Sequence, residues 1–85
     1  MRYKLVWSET SKIHLKKLDK AHAKRIIDKV GSITQDPFKF VKKLKGFDLY
    51  RLRVGDYRVI MSIERGKLII FVLDVGHRKA VYSKY

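Results

Sequence analysis

Arg51, Arg53, Arg58, His77, Arg78 and Tyr82 are the residues of this chain whose types and spacing could do chemistry. They form a cationic set with imidazole and phenol neighbours. RNA can be cut without a metal when its 2′-OH attacks the adjacent phosphate. That reaction needs a proton acceptor for the hydroxyl, cations for the charge developing on the phosphoryl oxygens, and a donor for the leaving 5′-oxygen. Arginine meets the second need, because it is always charged and can bind phosphate through two N–H bonds. A tyrosine is a weak base at its ordinary pKa of about 10, and neighbouring arginines favour its phenolate. Histidine, here His77, is the conventional acid or base near neutral pH. The same cations on a sheet face would also hold nucleic acid or an acidic protein without any catalysis.

Other chemistries find little support. The chain has no GxGxxG or Walker-type phosphate loop and no serine-nucleophile signature. Its eight carboxylates are scattered, with no pair suited to a glycosidase or a two-metal nuclease. His14 and His22 lack metal-ligand spacing and read as surface residues. No metal and no cofactor are implied. With no cysteine, neither a disulfide framework nor a thiolate metal site is available.

The elements that must position the cations are strands. In YRLRVGDYRVIMSIE the Gly55-Asp56 pair sits between two β-rich runs, a hairpin signal. A two-residue loop sets Val54 opposite Tyr57, Arg53 opposite Arg58, Leu52 opposite Val59 and Arg51 opposite Ile60. Tyr50, Leu52, Val54, Tyr57, Val59, Met61 and Ile63 then share one face, and Arg51, Arg53 and Arg58 emerge on the other. A second turn over residues 64–67 returns the chain along 68–75, a run of β-branched and aromatic residues suited to a central strand. Its expected pairs are Ile63 with Leu68, Met61 with Ile70 and Val59 with Val72. Ile60, Ile69, Phe71 and Leu73 fall on the arginine face, which requires a cover such as the C-terminal tail or a partner chain. At Gly76 alternation stops predicting direction.

Upstream, Tyr3, Leu5 and Trp7 alternate as in a short strand. Ser8 is a good N-cap and Glu9 suits a first turn, so a helix starts there and carries Ile13, Leu15 and Leu18. The chain breaks near Asp19-Lys20. A second helix places Ala23, Ile26, Ile27, Val30 and Ile33 at helical spacing and ends near Gln35, ahead of Pro37. Residues 38–47 read as a loop tucked down by Phe38, Phe40, Val41 and Leu44. Its Lys39, Lys42, Lys43 and Lys45 form either a solvated edge or a track for a phosphate backbone. The architecture is α+β in the order β-α-α-β-β-β: an N-terminal strand and a helical hairpin packed on an antiparallel sheet, one domain over residues 1–85.

The global charge is +13, from 21 Lys and Arg against 8 Asp and Glu, and such a field favours polyanions. A lysine-rich solvated surface would give the same balance. No apolar run reaches the length of a membrane-spanning helix, and the N-terminus shows no signal-peptide pattern, which fits the cytoplasm.

The segments WSETSKIHLKKL, KKLKGFDLYRLRVGDYRVIMSI and FVLDVGHRKAVY resemble the RelE/ParE superfamily of toxin–antitoxin toxins over nearly the whole chain, the RelE branch most closely. The resemblance implies a cytoplasmic toxin that cleaves messenger RNA in the ribosomal A site by the metal-independent 2′-OH route, and a cognate RelB-type antitoxin that wraps it. By the same likeness Arg58 and Arg78 would stabilise the transition-state phosphate. Arg78 would also protonate the leaving group, and Tyr82 would act as base and stacking platform. Arg51 and Arg53 would bind the RNA backbone, with His77, Lys43 and Lys45 as further RNA-binding candidates. Relatives carry lysine at the positions of Arg51 and Arg53. The ParE branch shares the fold but poisons DNA gyrase by protein contact, and a basic RNA-binding module without catalysis is a further alternative.

Overall fold

The computed structural model describes residues 2–77. Strand β1 (Lys4–Trp7) leads into helices α1 (Glu9–Lys16) and α2 (Lys20–Ser32), and a single 3-10 turn follows at Pro37–Lys39. Strands β2 (Lys42–Lys43), β3 (Tyr50–Val54), β4 (Tyr57–Glu64) and β5 (Ile69–His77) complete the order. They form one sheet in the order β1-β5-β4-β3-β2. β1 runs parallel to β5, whereas the other neighbours are antiparallel, so the sheet is mixed where an antiparallel one was expected. The two helices intervene between β1 and its partner, as a parallel connection demands. Among the described residues, no helix is long and apolar enough to cross a membrane.

Ser8 explains where α1 begins. Its Oγ accepts from the Ser11 N–H at 3.0 Å, and its hydroxyl donates to the Leu73 carbonyl at 2.8 Å. One side chain therefore both caps the helix and ties it to β5. Ser11 is fully buried, and its hydroxyl is satisfied by the Ser8 carbonyl at 2.8 Å. α2 contributes Ile26 and Val30, and Ile33 follows at its C-cap, all three fully buried. Their spacing is i, i+4, i+7, the stripe a helix lays on a sheet. Ile27 stands about 100° round the axis from Ile26, outside that stripe, and is exposed rather than packed, as is Ile13 on α1.

The core joins these helix residues to Leu52, Val54, Val59, Met61, Ile70, Val72 and Val75 of the sheet. The β3–β4 pairing is the one read from the sequence, from Val54 opposite Tyr57 to Arg51 opposite Ile60. Gly55, at φ 59°, supplies the positive backbone angle that a two-residue turn needs at its first position.

The β4–β5 pairing differs. Ile63 faces Ile70 and Met61 faces Val72, two residues on from the expected partners. The cause is a longer turn: Leu68 takes φ 53° and its N–H closes on the Arg65 carbonyl at 3.3 Å. An even slip preserves the faces, so Ile70 and Val72 remain in the core. A β-bulge then interrupts the ladder, for Met61 pairs with Val72 while Ile60 pairs with Asp74. Leu73 is the extra residue, and beyond it the alternation reverses. Val75 thereby enters the core opposite Val59.

The stretch 38–47 is also more ordered than a loop. Lys42 and Lys43 add a short edge strand to β3, with Lys42 opposite Arg51 and Lys43 opposite Tyr50. Val41 packs against the core and the Phe38 ring meets Tyr50 edge-on at 5.3 Å. Phe40 is only half covered, with 48% of its surface exposed.

Replacing Ser8 by alanine removes both the cap and the tie to the bulge. Thermal and urea unfolding of Ser8→Ala should show a loss of about 1–2 kcal/mol. That corresponds to a fall in Tm of roughly 4–8 °C per kcal/mol for a domain of this size. Unchanged stability would show that neither bond contributes.

Candidate nucleic-acid interface

Residues directly opposite in an antiparallel pair share a face. The register therefore sends Lys42, Arg51, Arg53 and Arg58 out of the same side of the sheet, away from the helices. They converge with Phe40 around a concavity of about 130 Å³. Its lining holds four cations, one aromatic ring and no carboxylate.

The four cations are not equivalent. Arg58 is only 5% exposed, and its Nη1 donates to the Tyr57 carbonyl at 3.5 Å. Arg53 is exposed, and its Nε reaches the Gly55 carbonyl at 3.4 Å. Arg51 is half-buried and Lys42 exposed. The arrangement thus runs from a deep guanidinium to more exposed cations at the rim. Arg53 and Arg58 stand directly opposite each other, which costs a few tenths to about 1 kcal/mol through like-charge repulsion. An anion between them removes that cost and gains charge-assisted bonds to a rigid fork. Phe40, 48% exposed at the edge of this hollow, offers a flat ring to a nucleobase, and the Lys29 ammonium lies 5.2 Å from its centroid.

Of the residues singled out from the sequence, Arg51, Arg53 and Arg58 come together here. Arg78 and Tyr82 lie outside the described residues. His77 does not join the arginines. The bulge at Leu73 turns it to the helix side, opposite Tyr57, whose ring it meets edge-on at 5.7 Å. His22 of α2 completes that group: its ring lies 5.2 Å from Tyr57, and Nδ1 is 3.2 Å from the Tyr57 hydroxyl. Lys43 also takes the opposite face, with Tyr50. It and Lys45 line a separate shallow hollow with Gly46 and Asp48. His14, read as a surface residue, places Nδ1 2.6 Å from Oδ1 of the buried Asp74. Asp74 Oδ1 also accepts from the Val75 N–H at 2.8 Å, so this contact braces α1 against the bulge.

Sequence reading gave Lys42 only as one of four loop lysines forming a solvated edge or a phosphate track, and it did not place Phe40 at the site. The signal was present for Lys42: strand alternation carried backwards from Arg51 requires a partner strand, and KK was available to supply it. Phe40 looked like an anchor because exposed phenylalanine is uncommon, yet 48% of it is exposed beside Lys29. Among the described residues no group of three or more His, Cys, Asp or Glu could hold a metal ion.

A basic hollow on the outer face of a mixed sheet, with two helices on its inner face, defines a small α+β protein with a concave cationic surface. Residues 5–82 match the family of the ParE toxin of type II toxin–antitoxin systems, parDE. The chain belongs to this family and, with it, to the RelE/ParE superfamily of type II toxins. It is 44% identical over 46 residues to toxin RelE3 of Methanocaldococcus jannaschii, a stretch covering 53% of this chain and 50% of that protein. The match thus spans half the length of that relative. Its fold superposes on RelE from the archaeal RelE–RelB complex of Pyrococcus horikoshii with a TM-score of 0.79 and 35% identity, covering 92% of this chain and 97% of that one. A chain of the RelBE2 toxin–antitoxin complex of Mycobacterium tuberculosis gives a TM-score of 0.85 over 92% of this chain and 100% of that one, and at 22% identity it attests the fold alone.

The repulsion across the hairpin is directly measurable. Arg53→Gln should stabilise the free protein by a few tenths to about 1 kcal/mol in low salt, with the gain shrinking as salt screens it. Urea titrations at two ionic strengths check this. A variant no more stable than its parent in low salt would mean that the two guanidinium groups do not repel.

Proposed function

We propose that this toxin is a metal-independent endoribonuclease that cleaves messenger RNA in the ribosomal A site and so stops translation in the cytoplasm. The observation that supports the reading most is the convergence of Lys42, Arg51, Arg53 and Arg58 on one hollow with an exposed aromatic ring beside it. RNA cleavage by 2′-OH attack demands stabilisation of a dianionic phosphorane, and preorganised cations are the strongest means a protein has. Arg58, deep in the hollow, would meet the non-bridging oxygens in the transition state. Arg51, Arg53 and Lys42 would hold the flanking backbone, and Phe40 would stack a base. Arg78 and Tyr82 would supply leaving-group protonation and base catalysis, as the likeness to RelE toxins implies. Lys43, Lys45 and His77, on other faces, would contact RNA only outside this hollow.

The partner in the resting state would be a RelB-type antitoxin. RelE chains solved with RelB, such as the Pyrococcus horikoshii protein, support this. An acidic, amphipathic segment that folds on binding suits a +13 surface. A second reading has one observation in its favour: the matching family is named for ParE. On that reading the same face would grip DNA gyrase rather than RNA.

Primer extension on a message translated by purified ribosomes separates the two. Ribosome-dependent cuts within the A-site codon that leave a 2′,3′-cyclic phosphate are expected, with Arg58→Ala slowing single-turnover cleavage by about 10²–10³-fold. Intact message together with inhibited supercoiling in a gyrase assay would replace the nuclease with the gyrase inhibitor. In a binding titration, Phe40→Ala should weaken single-stranded RNA by about 1–3 kcal/mol without changing the salt dependence, because stacking releases no counterions.

A further inference from the structure

The arginine hollow does not end at Arg53. That residue also lines a second groove, of about 530 Å³, between α2 and the β3–β4 turn, shared with Arg25, Asp28, Lys29, Val54 and Gly55. The two hollows are joined again on the other side of Arg53, where Lys29 of the groove lies over the Phe40 ring of the arginine site.

The construction of this groove favours an anion. Arg25 and Lys29 are four residues apart on α2, a like-charge pair that destabilises a helix by a few tenths of a kcal/mol. Both are exposed. The Arg25 guanidinium lies against the hairpin turn, where a Cβ on Gly55 would meet its Nη2 at 3.4 Å, an ordinary van der Waals contact. The one carboxylate in the lining, Asp28, is engaged by Lys24 at 2.9 Å, a bond that raises the Lys24 pKa first by hydrogen bonding and then by charge attraction. What remains facing the groove is Arg25, Lys29 and Arg53.

We propose that this groove is a second backbone-phosphate site, which holds the RNA strand as it leaves the arginine hollow past Phe40. The strand would thus be gripped by one continuous band of Arg58, Arg51, Lys42, Arg53, Lys29 and Arg25. The inference rests on the nuclease reading for its ligand, but it concerns residues outside the hollow where cleavage is proposed. An α2 contact fixes the direction in which the strand exits. It also lengthens the electrostatic footprint beyond the reacting phosphate, which adds affinity that does not depend on sequence.

The test is fluorescence anisotropy of the full-length toxin with an end-labelled single-stranded RNA dodecamer over a range of salt concentrations. Parent, R25A/K29A and Arg58→Ala are compared, with matching thermal unfolding to confirm that the exposed helix positions accept alanine. Loss of two phosphate contacts on a single strand should lower the slope of log K against log salt by about 1.4, equivalent to roughly 25-fold weaker binding near 0.1 M salt. Arg25→Lys, paired with native Lys29, should keep most of the slope because it keeps the charge. If R25A/K29A binds as the parent does while Arg58→Ala is weakened, the groove proposal falls and the nuclease reading stands. If the parent shows no salt-dependent RNA binding, the groove proposal falls, and the primer-extension assay decides the nuclease reading by itself. Should R25A/K29A keep its RNA affinity but lose an acidic antitoxin peptide, the groove is a protein-docking surface and the proposal is overturned.

Discussion

The register of the β3–β4 hairpin is the constraint on which the rest of this protein depends. A slip of β3 by one residue would turn Arg51 and Arg53 into the core and expose Leu52 and Val54. Burying unpaired guanidinium groups in an apolar core costs many times the stability of a small domain, so the slipped pairing has no competitive population. The register is held from both ends. Gly55 imposes the two-residue turn, and the apolar face must meet Ile26, Val30 and Ile33 of α2. A cluster of cations that repel one another is thus assembled by forces acting on the opposite face of the sheet. The site needs no favourable contact of its own in order to form.

That division explains what could be read in advance. Turn chemistry and strict alternation are local, so the hairpin pairing and the shared face of three arginines were legible in the sequence. So was the Ser8 cap, which depends on a residue type and its position before an apolar run. The bulge at Leu73 was not. A bulged strand has no distinctive composition, and this one is anchored by contacts from far along the chain: Ser8 at the Leu73 carbonyl and His14 at Asp74. Its consequence is large, since one extra residue carries His77 to the helix side beside Tyr57 and removes it from the arginines. The left-handed Leu68 escaped notice for a related reason, because such a conformation is unusual for leucine and nothing in ERGKL announces it. The pairing of Lys42 with Arg51 was hidden by brevity: an edge strand of two residues offers too little alternation to detect.

The electrostatics follow from the same geometry. Cross-strand Arg53 and Arg58, and Arg25 and Lys29 along α2, are both like-charge neighbours that the free protein tolerates. Each pair is a small cost, and an isolated surface cation would avoid it. Their accumulation on one band, in a chain of net charge +13, favours polyanions, and Arg53 is the residue common to both hollows. Two carboxylates near the band have partners of their own: Asp28 pairs with Lys24, and Asp74 meets His14.

Stability and recognition are therefore coupled. A chain of 85 residues buries only about 60–65% of its unfolded surface, so its margin is small and repulsion of about 1 kcal/mol is a noticeable part of it. Any polyanion that binds the folded form alone returns this energy as affinity, and it raises stability by mass action in addition. RNA and an acidic antitoxin segment would both do so, and would compete for the same cations. They differ in what else they can use. A nucleic acid can occupy the band and stack on Phe40 but gains little from the apolar strip of Ile69, Phe71 and Leu73. A protein segment can cover that strip while also neutralising the arginines. Discrimination between the two ligands would then lie not in the cations, which favour any polyanion, but in the apolar residues of β5.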